Sequence, residues 1–230
     1  MPRTVDVLDA ARMTASTSRE TTLRVSQYFG DAGPFSYGRV RSLTPVLLAG
    51  VMPYAVAVAG LEKIKFDLAR KCNLDVAKLV AACSQFRERT FYKMKKLPYS
   101  IDRDFALGVR PETVAVVHGV PNLIFLQPRK NATPWPYSAP FMRRVIEEVY
   151  CDYFDEARFW LIDTEALEGE DRELKLVDLQ SVPAMSDREF TRRIAALRTA
   201  WRLHLTEPQL RKDRLDKPDD RQPDFDFDDE

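Results

Sequence analysis

Two pairs of short apolar runs in the second half of the chain constrain the fold more than any other feature. The first pair covers residues 113–117 and 122–127, and the second covers residues 158–163 and 173–182. These runs are rich in β-branched and aromatic side chains, which suit a pleated and half-buried surface. Gly169 lies in the loop between the second pair and can supply the left-handed residue of a tight reversal. The pattern therefore predicts two β-hairpins.

A helix is predicted after each hairpin. Residues 141–154 carry apolar side chains at helical spacing. Ser186 and Glu189 have the spacing of a capping box, which predicts that a final helix begins there. The order strand, strand, helix, strand, strand, helix predicts a four-stranded antiparallel or mixed sheet with helices on one face. Because the first half of the chain is predicted to be mainly helical, the expected fold class is α+β.

The most apolar part of the chain is residues 42–61, which include no charged side chain. A helix of this length is long enough to cross a lipid bilayer. Pro45, Gly50 and Pro53 lie inside the segment and favour two short buried segments of a soluble core instead. The sequence leaves both interpretations open, a core element and a segment that spans or contacts a membrane.

Two helices are predicted next, over residues 62–72 and 76–97, with Asp75 as the N-cap of the second. A helix, a short turn and a second helix resemble the helix-turn-helix of DNA-binding proteins. The second helix begins with Val76 and Ala77, which are poorly suited to reading base edges, so an ordinary helical hairpin is favoured. The second helix also has a basic face, a candidate interaction surface made of Lys78, Arg87, Arg89, Lys93 and Lys96.

The second predicted hairpin carries a candidate catalytic group. Asp163 ends one strand, and Glu173 and Lys175 begin its partner on one face. Two carboxylates can hold Mg²⁺, and a neighbouring lysine can activate a water molecule. This arrangement resembles the Asp…Glu-x-Lys signature of restriction-endonuclease-like nucleases. The resemblance implies Mg²⁺-dependent cleavage of nucleic acid, with Asp163 and Glu173 as metal ligands. The alternative is a solvated strand end with a cross-strand charge pair.

The composition argues against several classes of protein. The chain has 35 basic and 35 acidic residues, which argues against a general basic surface for nucleic acid. Three widely spaced cysteines and two histidines argue against a disulfide framework and a zinc site. Buried thiols are expected at Cys72 and Cys83, in a reducing compartment. No cofactor is predicted, apart from Mg²⁺ under the nuclease alternative.

The two ends of the chain differ in composition from the rest. Residues 7–25 are rich in Thr, Ser and Arg and resemble an organelle transit sequence, although Asp6, Asp9 and Glu20 count against it. The acidic C-terminal end has the composition of a docking segment that orders on binding, or of a solubilising tail, and its candidate interaction residues are Phe225 and Phe227.

Four regions are predicted from these patterns. They are an extended or weakly helical N-terminal arm (1–41), the apolar segment with the helical hairpin (42–110), an α+β domain (111–207) and an acidic tail (208–230).

Because no complete catalytic constellation is present, the sequence favours a non-catalytic subunit or interaction protein of a larger intracellular complex. Its expected partners are other protein subunits, with membrane contact through residues 42–61 left open and nucleic acid not favoured. The expected location is the cytoplasm or an organelle matrix. The alternatives are the metal-dependent nuclease and the helix-turn-helix DNA-binding protein.

Overall fold

The computed structural model describes residues 3–30, 36–129, 137–165 and 171–206. Within these ranges the chain forms seven α-helices, eight strands and one 3₁₀ turn, which confirms the α+β class. The helices are α1 (Val7–Met13), α2 (Ser18–Gly30), α3 (Gly38–Ala49), α4 (Tyr54–Glu62), α5 (Asp67–Ala82), α6 (Ser138–Tyr150) and α7 (Asp187–Thr206). The strands are β1 (Arg3–Asp6), β2 (Phe91–Tyr92), β3 (Leu97–Asp102), β4 (Phe105–Val109), β5 (Thr113–Val117), β6 (Val120–Gln127), β7 (Arg158–Asp163) and β8 (Lys175–Asp178).

The main sheet has five strands in the order β2-β5-β6-β7-β8. Strands β5 and β6 are antiparallel, β6 and β7 are parallel, and β7 and β8 are antiparallel. The four predicted strands are therefore neighbours in one mixed sheet, as expected. The parallel pair is joined by α6, because a parallel connection needs a crossover longer than a turn. Strand β2 adds a fifth strand at the edge, next to β5.

A second sheet of three strands, in the order β1-β4-β3, was not expected from the sequence. Its strands β1, β3 and β4 all lie outside the four strands that the sequence predicted. Strand β4 is buried along its whole length between β1 and β3. Gly108 is its fourth residue, where a Cβ atom would come within 2.7 Å of Thr4 Cγ2 and Lys96 Cδ. The absence of a side chain at this position lets the three strands approach one another.

Helices cover both faces of the main sheet, so the prediction of helices on one face is wrong. Leu123 and Phe125 of β6 point into a first core, which also contains side chains from α1, α2, α6, α7 and the small sheet. Ile124 and Leu126 point into a second core, which contains side chains from α3, α4 and α5. A strand that is buried on both faces has a continuous apolar sequence, as β6 has.

The first thirty residues are part of the folded body. They form β1, α1 and α2 rather than an extended or weakly helical arm. The side chain of Asp6 caps α1 by accepting a hydrogen bond from Leu8 N at 2.9 Å. Helix α1 then buries Leu8 in the first core, and α2 packs against α7, where the rings of Phe29 and Trp201 are 5.3 Å apart.

Residues 42–61 lie in two short helices, α3 and α4, as the proline pattern favoured. Gly50 ends α3 in a left-handed conformation with φ of 63°, and its N–H donates to Val46 O at 3.2 Å. Pro53 then precedes α4. In the part of the chain described here, no helix is both long and apolar enough to span a membrane.

Helix α5 runs without a break through the predicted turn, so both the favoured helical hairpin and the helix-turn-helix alternative are wrong for this segment. Asn73 is accommodated inside the helix because its Nδ2 donates to Ala69 O at 2.9 Å. The prediction of a helix as far as residue 97 is also wrong. The chain leaves the helix after Ala82, and Glu88 has a left-handed φ of 58°. The predicted basic residues therefore do not share one helix face.

Several boundaries in the second half shift by a few residues. Helix α6 begins and ends before its predicted bounds. Strand β8 is shorter than predicted because Asp178 accepts from Gln180 N at 2.9 Å and starts a 3₁₀ turn, Leu179–Ser181. The predicted cap of the last helix is present, since Ser186 Oγ accepts from Glu189 N at 3.3 Å. The predicted burial of Cys72 and Cys83 is confirmed.

The first turn of α7 contains a carboxylate with a strongly altered acidity. Glu189 accepts hydrogen bonds from Arg192 at 2.6 Å and from Arg193 at 2.8 Å, which lowers its pKa to about 2. We expect a carboxyl-carbon NMR titration of Glu189 to have its midpoint near this value. Because the pKa is lowered, the stabilisation is present above the ordinary value near 4.3 and is lost as the pH falls towards 2.

The Arg192→Gln variant should raise the pKa of Glu189 towards its ordinary value. The matched control is Arg198→Gln, further along α7, whose guanidinium donates to Ile101 O instead. An unchanged midpoint in Arg192→Gln would show that the ion pair does not form in solution.

Candidate functional site

The predicted nuclease residues lie at one end of the β7–β8 pair. Asp163 and Lys175 are directly opposite each other in the register. Glu173 precedes β8, and its N–H donates to Glu165 O at 3.4 Å. Asp163 is only 1% exposed and accepts from Glu165 N at 3.1 Å, whereas Glu173 and Lys175 are exposed. The strand ends are therefore neighbours, but the first carboxylate is buried in a turn.

Metal binding has no further support in the ranges that the structure covers. Among those residues, no group of three or more His, Cys, Asp or Glu side chains is arranged to hold a metal ion. The nuclease roles of Asp163, Glu173 and Lys175 stay predictions from the sequence.

A polar cluster that the sequence did not predict lies near the carboxyl ends of β6 and β7. Asp9 of α1 accepts from Arg129 at 3.1 Å and from the Tyr28 hydroxyl at 3.0 Å. Burial raises the pKa of Asp9, and the positive charge of Arg129 opposes this change. Thr164 Oγ1 donates to Gln127 O at 3.0 Å and joins the two strand ends. The sequence does not reveal the cluster, because Asp9 and Arg129, which form its ion pair, are 120 residues apart.

Arg172 closes the other side of this strand edge. Its Nη1 donates to Pro128 O and to Thr164 O, both at 2.7 Å, and its Nη2 donates to the Tyr37 hydroxyl at 2.8 Å. Burial raises the pKa of Tyr37 to about 12. The edge where open α/β sheets often bind ligands is thus held together by protein contacts in this chain.

A buried ion pair fastens α3 to the main sheet. Arg41 Nη1 lies 2.8 Å from Glu112 Oε1 and 3.5 Å from Asp6 Oδ2. Its Nη2 donates to Leu126 O at 3.3 Å. Burial raises the pKa of Glu112, although the guanidinium beside it favours the charged form. These contacts give the pair a structural role that joins α1, α3 and the sheet.

The outer side of α4 is apolar and open to a partner in the part of the chain that the structure describes. Its inner side, with Ala57, Val58 and Leu61, packs in the second core. The residues around the outer side are exposed, and Val51 and Val56 are 72% and 63% exposed. We call this region the α4 surface, and its large apolar side chains are Val51, Met52, Tyr54, Val56, Phe66 and Leu68.

A groove beside α4 continues this surface. Its volume is about 190 Å³. A typical small-molecule pocket is larger, at roughly 300–1,000 Å³. The groove is lined by Val46, Leu47, Gly50, Met52, Tyr54, Ala57, Ala81 and Arg87. Arg87 Nη2 donates to Ala81 O at 3.4 Å, which places a guanidinium beside the apolar lining. The size suits a single side chain of a partner.

Basic residues accompany the α4 surface. Lys71 and Lys78 are exposed on α5, three and ten residues after Leu68, so the three side chains share one stripe of the helix. The hydroxyl of Tyr54 donates to Leu74 O at 3.3 Å and holds the start of α4 against α5. Of the predicted interaction residues, Lys78 and Arg87 lie in this region. Arg89, Lys93 and Lys96 follow in the chain between α5 and β3, and Phe225 and Phe227 lie outside the described residues.

The sequence contained a signal for this surface. The segment from Tyr54 to Leu61 is apolar around the whole circumference of the helix, whereas a helix at the edge of a domain normally has a polar side. We interpreted the segment as a core element or a membrane segment. The structure buries one side of it and exposes the other.

Comparison with known proteins adds no relative: no protein-family model, curated protein or solved structure matches the chain. The functional argument therefore depends on the geometry and chemistry of the residues themselves.

Proposed function

We propose that the chain is a non-catalytic interaction protein of a larger intracellular complex and that the α4 surface is its docking face. The observation that carries this proposal is the exposed apolar side of α4. Contiguous exposed apolar patches with polar neighbours mark sites of protein contact. Two sides of α4 are apolar, and the described part of the chain covers only one of them.

The chemistry of the surface defines the partner. Met52 and Tyr54 line a groove that accepts one large apolar or aromatic side chain. Arg87, Lys78 and Lys71 provide positive charge around it. The partner is therefore a protein segment in which aromatic or large aliphatic side chains alternate with carboxylates. Electrostatic complementarity of this kind supports both the rate and the specificity of association.

The Val56→Glu variant tests the docking face. Val56 is 63% exposed, so a charge there should change the free energy of unfolding by no more than about 0.5 kcal/mol. In the interface, the same charge should cost about 2 kcal/mol or more, a loss of affinity of roughly thirtyfold. We expect the wild-type chain in gently lysed cells, without detergent, to elute far above 26.5 kDa and Val56→Glu to shift towards that mass.

The matched control is Leu205→Glu on α7, where the leucine is 56% exposed on a different element. The control should elute like the wild type. Elution of the wild type near 26.5 kDa would contradict the proposal, and the nuclease alternative would then be tested by adding Mg²⁺ or Mn²⁺ and comparing Lys175→Ala. Elution of the purified chain at twice its mass would identify a second copy as the partner. Release only by detergent would identify a membrane.

A further inference from the structure

The groove beside α4 has the size of an aromatic ring. Its volume is about 190 Å³, and an apolar cavity of about 150 Å³ is large enough to bind benzene. Its lining combines aliphatic side chains with polar atoms, and Tyr54 and Arg87 are among the lining residues. The groove is therefore large enough for a phenylalanine ring and has polar groups beside it.

The charge beside the groove favours a carboxylate next to that ring. Arg87 lines the groove, and among the described residues no carboxylate lies within ion-pair distance of its guanidinium. Lys78 adds a second exposed positive charge on α5. A ligand segment with an aspartate beside a phenylalanine satisfies both the apolar lining and the cations.

One segment of this chain has that composition. Residues 222–230 read Gln-Pro-Asp-Phe-Asp-Phe-Asp-Asp-Glu, with two phenylalanines among five acidic residues and no basic residue. In an extended segment, residues two apart point to the same side. Phe225 and Phe227 can then contact one surface together, one ring in the groove and the other over the exposed side chain of Val56.

The segment is long enough to reach the groove within the same molecule. The last described residue is Thr206, and nineteen peptide units separate it from Phe225, which span at most about 63–68 Å. A compact domain of this length has a radius of gyration of about 17 Å. A short tether also provides an effective concentration of about a millimolar, which favours binding within the molecule over binding to a second copy.

We propose that residues 222–230 occupy the groove beside α4 in the same molecule and compete there with the partner of the α4 surface. The inference rests on the proposed function, because it takes the α4 surface as a docking face. It adds that the chain carries its own competitor, so that a partner must displace this segment before it docks.

A labelled synthetic peptide of residues 222–230 tests the inference by fluorescence anisotropy. It is titrated with the full chain, with a chain that ends at Arg221, and with the full-length Phe225→Ser/Phe227→Ser variant. We expect both altered chains to bind the peptide at least tenfold more tightly than the full chain, because the competing segment is removed. Arg87→Glu in the shortened chain should weaken binding by at least tenfold, and a peptide with both phenylalanines replaced by serine should not bind.

The other outcomes separate this inference from the proposed function. Equal affinity for the full and shortened chains would overturn occupation by the chain's own segment and leave the α4 surface as a docking face. No binding to the shortened chain would overturn the assignment of the groove, and the native-mass comparison of Val56→Glu would then judge the docking face independently. A concentration-dependent dimer of the full chain that the phenylalanine variant abolishes would overturn binding within one molecule in favour of exchange between copies.

Discussion

Replacing Arg41 with leucine should lower the free energy of unfolding by about 3–5 kcal/mol. Removal of one partner of a buried ion pair leaves the other as an uncompensated buried charge. Here that charge is the carboxylate of Glu112, whose side chain is 5% exposed and lies 2.8 Å from the guanidinium. The substitution also removes the hydrogen bond to Leu126 O. Urea unfolding followed by circular dichroism measures the change.

The control is the double variant Arg41→Leu/Glu112→Leu, which removes both charges. We expect it to be at least about 2 kcal/mol more stable than the single variant, because a buried pair can often be replaced by apolar residues at little cost. A double variant that is as unstable as the sum of its single variants would contradict the ion-pair explanation.

The loss in Arg41→Leu should also depend on pH. A carboxyl group with a raised pKa lowers stability as the pH rises from its ordinary value, near 4.3, through the raised value. The pKa of Glu112 is already raised by burial, and loss of Arg41 should raise it further. The difference in unfolding free energy between the wild type and Arg41→Leu should therefore be smaller near pH 4 than near pH 7.

The Leu8→Asp variant should prevent folding. Leu8 is 5% exposed in α1, and loss of a buried leucine side chain alone costs about 2–5 kcal/mol. The new carboxylate would in addition be buried in the first core without a partner of its own. Since small domains are stable by only about 5–15 kcal/mol in total, we expect a mostly unfolded or aggregated chain.

Leu23→Asp is the matched control, since the same change is made at a leucine that is 58% exposed on α2. It should alter the free energy of unfolding by about 0.5 kcal/mol or less. Native-like circular dichroism and cooperative melting of Leu8→Asp would show that α1 is not an integral part of the core.

The strands that the sequence predicted correctly are those whose local signals agree with their burial. Strands β5 and β7 match their predicted bounds because a run of β-branched and aromatic residues ends at a turn residue or a charged residue on each side. The start of α7 was predictable for a similar reason, since Ser186 and Glu189 are close in the sequence and in the structure. A structural element can be predicted from the sequence when the residues that stabilise it are close together in the chain.

The missed features depend on contacts between distant residues. Strand β4 is short and contains Gly108, and its strand character comes from pairing with β1, about a hundred residues earlier. The break predicted near Asn73 failed because its side chain bonds to Ala69 O within the helix instead of ending it. The expected helix beyond Ala82 failed because the backbone is already extended at Cys83, where ψ is 105°.

The candidate docking face also has one part that local sequence could predict and one part that depends on distant contacts. The apolar composition of residues 42–61 left a core element and a membrane-contacting segment open, and the proline and glycine positions predicted two short segments. The sequence could not show which side of α4 faces outward, because all sides are apolar. That choice follows from packing against α3 and α5, which buries Ala57, Val58 and Leu61.

The packing of α2 against α7 has a consequence for biosynthesis. About 170 residues separate Phe29 from Trp201, and a ribosome adds about 5–20 residues per second, so the second aromatic ring follows the first by roughly 10–30 s. Throughout that interval the apolar sides of α1 and α2 have left the ribosome without their final neighbours. The apolar sides of these two helices therefore lack part of their core until translation reaches the end of α7.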